Sequence, residues 1–217
     1  TGARIWSYRV GAGPVLSSPA VADGKVFIGS YEGKVCTLNA STGAFIWDYT
    51  TGGSVFSSPA VAYGMVFVGS KDKKIYAFGT VTTPAKGIPG FLPDRVFPVE
   101  EHKGRARFGE VEDWPLCLKR PSTEWVMFGC DPTRARYSIS ADPCTNNILW
   151  TYQVGPIFSS PAVAEGKVFV GSRDGKVYAI NAETGNFVWS YTTGDWVDSS
   201  PAVADGRVYV GSYDHKV

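Results

Sequence analysis

Short apolar runs alternate along the chain with turn dipeptides at a regular spacing. In the first clear stretch Ser18–Ala22, Lys25–Ser30, Lys34–Asn39 and Ala44–Tyr49 read as four β-strands, separated by Asp23-Gly24, Glu32-Gly33 and Ser41-Thr42-Gly43. Asp-Gly between apolar runs is a strong hairpin signal, because a two-residue type I′ turn needs positive φ at both positions. Val26-Phe27-Ile28 and Val66-Phe67-Val68 are apolar on both faces, which suits strands covered on both sides by neighbouring sheets. Helical periodicity is almost absent.

The pattern recurs. Ser17-Ser18-Pro19-Ala20-Val21-Ala22 returns at 57–62, 159–164 and 199–204, and residues 17–35 match 199–217 at 14 of 19 positions. A second block, Thr1-Gly2-Ala3-Arg4-Ile5-Trp6, returns at 42–47 and 184–189, and in weaker form as Asn146-Asn147-Ile148-Leu149-Trp150. Four strands in a repeat of about 40 residues is the period of a β-propeller. A degraded fifth copy is read from Pro115–Leu118, Trp125–Cys130, Arg136–Ala141 and Ile148–Tyr152. The expected fold is therefore all-β: one domain over 1–217, a propeller of five four-stranded blades, with a Pro-rich insertion at 79–113 between the second and third blades. Val217 stops within a third strand and Thr1 begins before a fourth. The N-terminal strand is thus expected to complete the last blade and remove its open edge.

Composition narrows the partners. Lys plus Arg is 21 against 20 Asp plus Glu, a net charge of +1, which gives no field to steer nucleic acid or anionic membrane. No apolar run approaches the roughly 18 residues that span a bilayer, and Thr1-Gly2 does not open a charged and then apolar leader, so the chain reads as a soluble mature or excised segment. Cys36, Cys117, Cys130 and Cys144 form no CxxC pair, and with His102 and His215 they do not space as a zinc site. Cys117 and Cys144 fall near one rim of the degraded blade and are the preferred disulfide; Cys36 and Cys130 are read as unpaired.

A residue present in every unit serves packing or turning, so function is sought where units differ. The Ser-Ser pairs have no His to activate them and are read as strand hydrogen-bonding groups. The acidic-Gly pairs are read as turns, not as calcium ligands. The loop leading into each first strand and the turn between the second and third strands lie on one face of a propeller. There Leu16, Phe56, Trp114, Phe158, Trp196 and Asp198 meet Tyr31, Lys71, Arg173 and Tyr213. Leu16, Phe56 and Phe158 are expected to plug the funnel. Tyr31, Lys71, Trp114, Arg173, Trp196, Asp198 and Tyr213 are the candidate ligand contacts, since aromatics beside charged groups suit a peptide or a sugar. The 79–113 insertion is the other candidate surface. Asn39-Ala40-Ser41 fits a glycosylation acceptor, although Asn belongs to the repeated turn.

Asn39 to Trp47, followed by Gly52, Ser57-Ser58-Pro59-Ala60-Val61 and Val66-Phe67-Val68-Gly69-Ser70, closely resembles the PQQ-like, quinoprotein-type repeat. The resemblance covers nearly everything outside 79–113. It implies a propeller in which Trp6, Trp47, Trp150 and Trp189 dock each blade against the next. Members include quinoprotein alcohol and glucose dehydrogenases, an outer-membrane assembly lipoprotein and many cell-surface proteins. The dehydrogenases hold their quinone with adjacent cysteines, calcium carboxylates and an Asp base; this chain has no adjacent cysteines and no acid-rich unit, so no cofactor, metal or catalytic residue is expected. The leading expectation is a non-catalytic binding or scaffold module of a secreted or cell-envelope protein that holds a protein partner. The alternatives are a lectin-like propeller and a fragment of a quinoprotein dehydrogenase.

Overall fold

The computed structural model describes residues 2–79, 137–138 and 145–217. Within them the chain is all-β, without a helix, and its strands build a β-propeller. The first sheet holds β1 (Ala20–Ala22), β2 (Lys25–Gly29), β3 (Lys34–Asn39) and β4 (Phe45–Thr50). The second opens with β5 (Ala60–Ala62), β6 (Met65–Ser70) and β7 (Lys74–Gly79). After β8 (Tyr137–Ser138) and β9 (Ile148–Gln153), the third sheet is β10 (Ala162–Ala164), β11 (Lys167–Ser172), β12 (Lys176–Asn181) and β13 (Phe187–Thr192), and the fourth is β14 (Ala202–Ala204) with β15 (Arg207–Tyr209). Apart from β8, neighbours within each sheet are antiparallel.

The first hairpin of every sheet turns on the same geometry. Asp23-Gly24, Tyr63-Gly64, Glu165-Gly166 and Asp205-Gly206 all have positive φ at both residues, the requirement of a type I′ turn. Even Tyr63, a residue that does not favour this region, adopts it at φ +53. Along β6 every residue is buried, as the double-sided apolar pattern predicts.

The membership of β9 differs from the sequence expectation. The repeat places Ile148–Tyr152 in a separate degraded unit; instead β9 pairs with β7 and completes the second sheet in the order β5-β6-β7-β9. The register explains the choice. In β4, β9 and β13 one residue (Ile46, Leu149 or Val188) is skipped just before the tryptophan, giving a bulge at the same place in all three sheets. Bulges re-aim side chains, and here each one points its Trp at a neighbouring sheet. Gly79 N–H also donates to Asn147 O at 3.0 Å, as Asn39 N–H does to Ala44 O at 2.8 Å. The other strands assigned to that unit, and the 79–113 insertion beyond Gly79, lie outside the described residues except β8. That strand pairs in parallel with β1 through Val21↔Tyr137 and Ala22↔Ser138.

The expected completion of the last blade by the N-terminal segment takes another form. Residues 2–16 form no strand, and β15 pairs with β14 alone among the described residues. Trp6 is nevertheless docked on the first sheet, because the contacts of a fourth-strand Trp with the next sheet do not depend on the ladder within its own. The core lies between sheets: Phe27, Phe67, Phe78, Val66, Val68 and Ile75 are fully buried.

Candidate binding face

Two repeated serines hold the inner part of the fold. The first caps a glycine of its own sheet: Ser17 Oγ accepts from Gly29 N at 2.7 Å and donates to Gly29 O at 2.9 Å, and Ser57, Ser159 and Ser199 accept from Gly69, Gly171 and Gly211. The second links sheets, since Ser18 N donates to Ser58 Oγ, Ser58 N to Ser160 Oγ and Ser160 N to Ser200 Oγ at 2.8–2.9 Å. Sheets two and three are thus direct neighbours.

On this frame the lead-in loops of the second, third and fourth sheets reach back to the sheet before them. Val55, Ile157 and Val197 are fully buried against Gly29, Gly69 and Gly171, where a Cβ would overlap their side chains. Every turn residue is in turn tied to its own sheet's lead-in loop: Tyr31 N–H donates to Pro14 O, Lys71 to Ser54 O, Arg173 to Pro156 O and Tyr213 to Trp196 O, at 2.9–3.1 Å.

These ties align one strip of side chains across four sheets. Tyr31 meets Phe56 edge-on at 5.8 Å between centroids, and Phe56 stacks on Phe158 at 5.1 Å. Lys71 Nζ sits over both rings, 5.5 Å from Phe56 and 5.3 Å from Phe158. Arg173 lies 3.5 Å from the centroid of Phe158 and 4.8 Å from that of Trp196, and Trp196 meets Tyr213 edge-on at 6.0 Å. Arg173 and Asp198 form a bidentate pair, Nε to Oδ1 at 2.9 Å and a second nitrogen to Oδ2 at 2.7 Å. That hydrogen bonding raises the affinity of the guanidinium for its proton. Tyr31, Trp196 and Tyr213 keep 50%, 47% and 56% of their surface exposed, so the strip opens to solvent.

Six of the seven candidate contacts therefore meet in one strip, and Trp114 lies outside the described residues. Phe56 and Phe158 are half-buried members of the strip and Leu16 is exposed. What sequence reasoning missed is the pairing rule. A turn residue packs on the equivalent loop position of the next sheet, giving Tyr31 with Phe56, Lys71 with Phe158 and Arg173 with Asp198. The signal was the repeat alignment, in which Asp198 stands where the other units carry Leu16, Phe56 and Phe158.

The turn carboxylates face elsewhere. Glu32 accepts from Ala12 and Gly13 N–H, Asp72 from Gly52 N–H and Asp214 from Gly194 N–H, so each bridges to the loop before its own sheet. The Gly194 amide above all lowers the proton affinity of Asp214. Tyr76 and Tyr178 hydroxyls donate to Asp72 and Asp174; burial first, and then these bonds, raise both phenols.

Two of the four tryptophans dock in the same way. Trp6 and Trp150 Nε1 donate to Ala40 O and Ala182 O at 2.9 Å, with their rings against Gly43 and Gly185. Trp47 packs between Phe27 and Phe78; its buried Nε1 has no partner among the described residues, and position 80, which corresponds to Ala40, lies outside them. Trp189 packs on Phe169 and beside Val203 of the fourth sheet. Asn39 Oδ1 accepts from Ser41 N, Thr42 N and Thr42 Oγ1, so the candidate acceptor shapes its turn, as Asn181 does. Cys36 is a free, buried thiol, and burial pushes it up to about 11. Cys117, Cys130 and Cys144 lie outside the described residues.

Antiparallel sheets linked in series, a docking tryptophan after each bulge and one glycine under each of three lead-in loops define a repeat β-propeller. The chain belongs to the PQQ-like repeat family described as outer membrane protein assembly factor BamB, whose sequence model matches residues 1–83 and 137–217. Among solved structures it is similar to BamB from Moraxella catarrhalis, with 18% identity and a TM-score of 0.59 over 96% of this chain and 47% of that one. It also resembles two computationally designed proteins. Ika4 gives 14% identity and a TM-score of 0.61, covering 100% of this chain and 96% of that chain; Ika8 gives 14% and 0.56, covering 93% and 44%. The chain thus spans about half the length of the BamB it matches, and at these identities the likeness concerns the fold. A comparison with curated proteins returned no match.

Proposed function

We propose that this chain is a non-catalytic protein-binding scaffold of the cell envelope, and that the aromatic strip is the surface that holds its partner. The strip carries the reading. Packing and turning account for the residues shared by all units, whereas the strip joins the positions where the units differ, and it leaves Tyr31, Trp196 and Tyr213 half exposed. Exposed Tyr and Trp beside Arg are the composition of protein interface centres. The envelope setting comes from the family, described as an outer membrane protein assembly factor. Among the described residues no helix is long and apolar enough to cross a membrane. The 79–113 segment is the second surface proposed for partner contact.

The test is a photo-crosslinking amino acid placed at Tyr213 or Tyr31, with a control at Glu183 in the exposed turn before β13. Irradiation of envelope fractions is expected to give the same protein adduct from both strip positions and none from Glu183, and Trp196→Ala is expected to weaken that adduct at least threefold. Adducts indifferent to position and to Trp196→Ala would remove the reading.

A further inference from the structure

The strip also carries a chemical preference, and the inference rests on the reading above that it holds a protein partner. Two cations lie on it. Arg173 is balanced by Asp198 through a bidentate pair. Lys71 is exposed and has no ion pair among the described residues, although it is held over the stacked rings of Phe56 and Phe158. Three of the four neighbouring turn carboxylates are directed to backbone amides of the preceding loops, namely Glu32, Asp72 and Asp214. Asp174 receives the Tyr178 hydroxyl and Lys176 N–H, and Asp195 the Trp196 N–H. These hydrogen bonds leave the carboxylates charged but engage them away from the strip, so on the strip itself the Lys71 ammonium is the charge without an ion pair among the described residues, and its N–H groups are available to an incoming acceptor.

The central rings bear on the ligand class, because Phe56 and Phe158 are already covered. A sugar stacks on a free aromatic face. Phe158 is already engaged by a phenyl ring, an ammonium and a guanidinium, Phe56 by Phe158, Tyr31 and Lys71, and Trp196 by Arg173 and the edge of Tyr213. What remains for a ligand is the ammonium, flanked by the half-exposed side chains of Tyr31 on one side and of Trp196 with Tyr213 on the other. We propose that the strip recognises an acidic, aromatic-containing extended peptide segment, one carboxylate of which pairs with Lys71 while its apolar side chains rest on the exposed surface of the tyrosines and the tryptophan. A charge-assisted contact beside aromatic surface gives both registration and affinity.

The probe is a fluorescein-labelled twelve-residue peptide alternating Asp with Phe and Gly, titrated with the full chain and followed by anisotropy. A peptide with every Asp replaced by Asn and a fluorescent sulfated oligosaccharide serve as controls. The acidic peptide is expected to bind at least about tenfold more tightly than the Asn peptide, and to weaken as salt is raised from 50 to 300 mM. Lys71→Glu is expected to reduce its affinity by at least about tenfold, and Lys71→Arg to retain it within about threefold. Lys71 is exposed, so the fold should survive either change, as circular dichroism would verify. Equal binding of the Asn peptide, or no effect of Lys71→Glu, overturns the assignment, and so does binding of the oligosaccharide in preference to the peptide. If neither peptide binds while the Tyr213 crosslink persists, the acidic class fails and the partner face stands. Loss of that crosslink alone removes the face.

Discussion

Gly185 has φ +72, and a Cβ there would lie 2.6 Å from the indole of Trp150. Both facts exclude a larger residue, since the left-handed region penalises side chains and the indole cannot retreat while its Nε1 donates to Ala182 O. Gly185→Ala is expected to cost about 1–3 kcal/mol, read as a lower thermal midpoint. Gly166→Ala, with similar φ but open space at its Cβ, is expected to cost less. An equal loss at both positions would mean that backbone strain, and not the docked ring, sets the requirement. At Cys36 the prediction concerns pH. Burial raises the folded thiol from 9.0 to about 11, so between those values the unfolded chain releases a proton that the folded chain keeps. Stability therefore falls as pH rises through that window, by at most about 1.4 kcal/mol per unit from this group. Alkylation by iodoacetamide at pH 8, mapped by mass spectrometry, is expected to spare Cys36 in the folded protein and to label it in urea. Labelling of the folded protein at the unfolded rate would show that the thiol is not protected.

At the scale of elements, the repeat made most of the fold legible because the same residue performs the same task in each sheet: positive-φ pairs turn the hairpins, and Ser-Ser pairs cap and link. The partner of β9 was not legible. Sequence order favours pairing with the nearest preceding strands, which placed Ile148–Tyr152 in a degraded unit of its own. What decides its place is the ladder to β7 with the bulge at Leu149 and the Trp150 contact on the third sheet, and the sequence carries no trace of ladder partners across so long an interruption. The strip was legible as a set of positions on one face, but its cross-sheet pairing required knowing which sheets are neighbours. A direct test follows. In the first sheet four residues, Ala40-Ser41-Thr42-Gly43, link Asn39 to Ala44, and Gly79 and Asn147 occupy the corresponding places in the second. Replacing residues 80–146 by Ala-Ser-Thr-Gly removes β8 from the edge of β1 and is expected to leave a folded protein with a cooperative thermal transition and β-type circular dichroism. If β9 belonged to a separate unit, the shortened chain would lose its second sheet's outer strand and unfold or aggregate.

For the molecule as a whole, the same devices act in series, so the protection of each sheet depends on how many neighbours it has. The second sheet lies between two others: β5 and β6 are buried throughout, and Ser58 links inward to Ser160 as Ser18 links to it. The fourth sheet is linked to the third through β10 and Ser200, and β15 shows an exposed-intermediate-exposed pattern. Local opening free energies follow buried contacts and neighbours. Amide hydrogen exchange is therefore expected to be slowest in Met65–Ser70, intermediate in Lys25–Gly29 and fastest in Arg207–Tyr209. The order bears on function as well as stability, because the strip crosses all four sheets. Its Phe56–Phe158 centre, with Lys71, stands on the best-protected part of the fold, while Trp196 and Tyr213 stand on the least protected. A ligand that engages the whole strip must order the fourth sheet, so the acidic peptide should slow exchange at Arg207–Tyr209 far more than at Met65–Ser70. Uniformly slow exchange before any peptide is added would instead mean that the fourth sheet is already covered in solution, and that the strip is presented as a rigid surface from end to end.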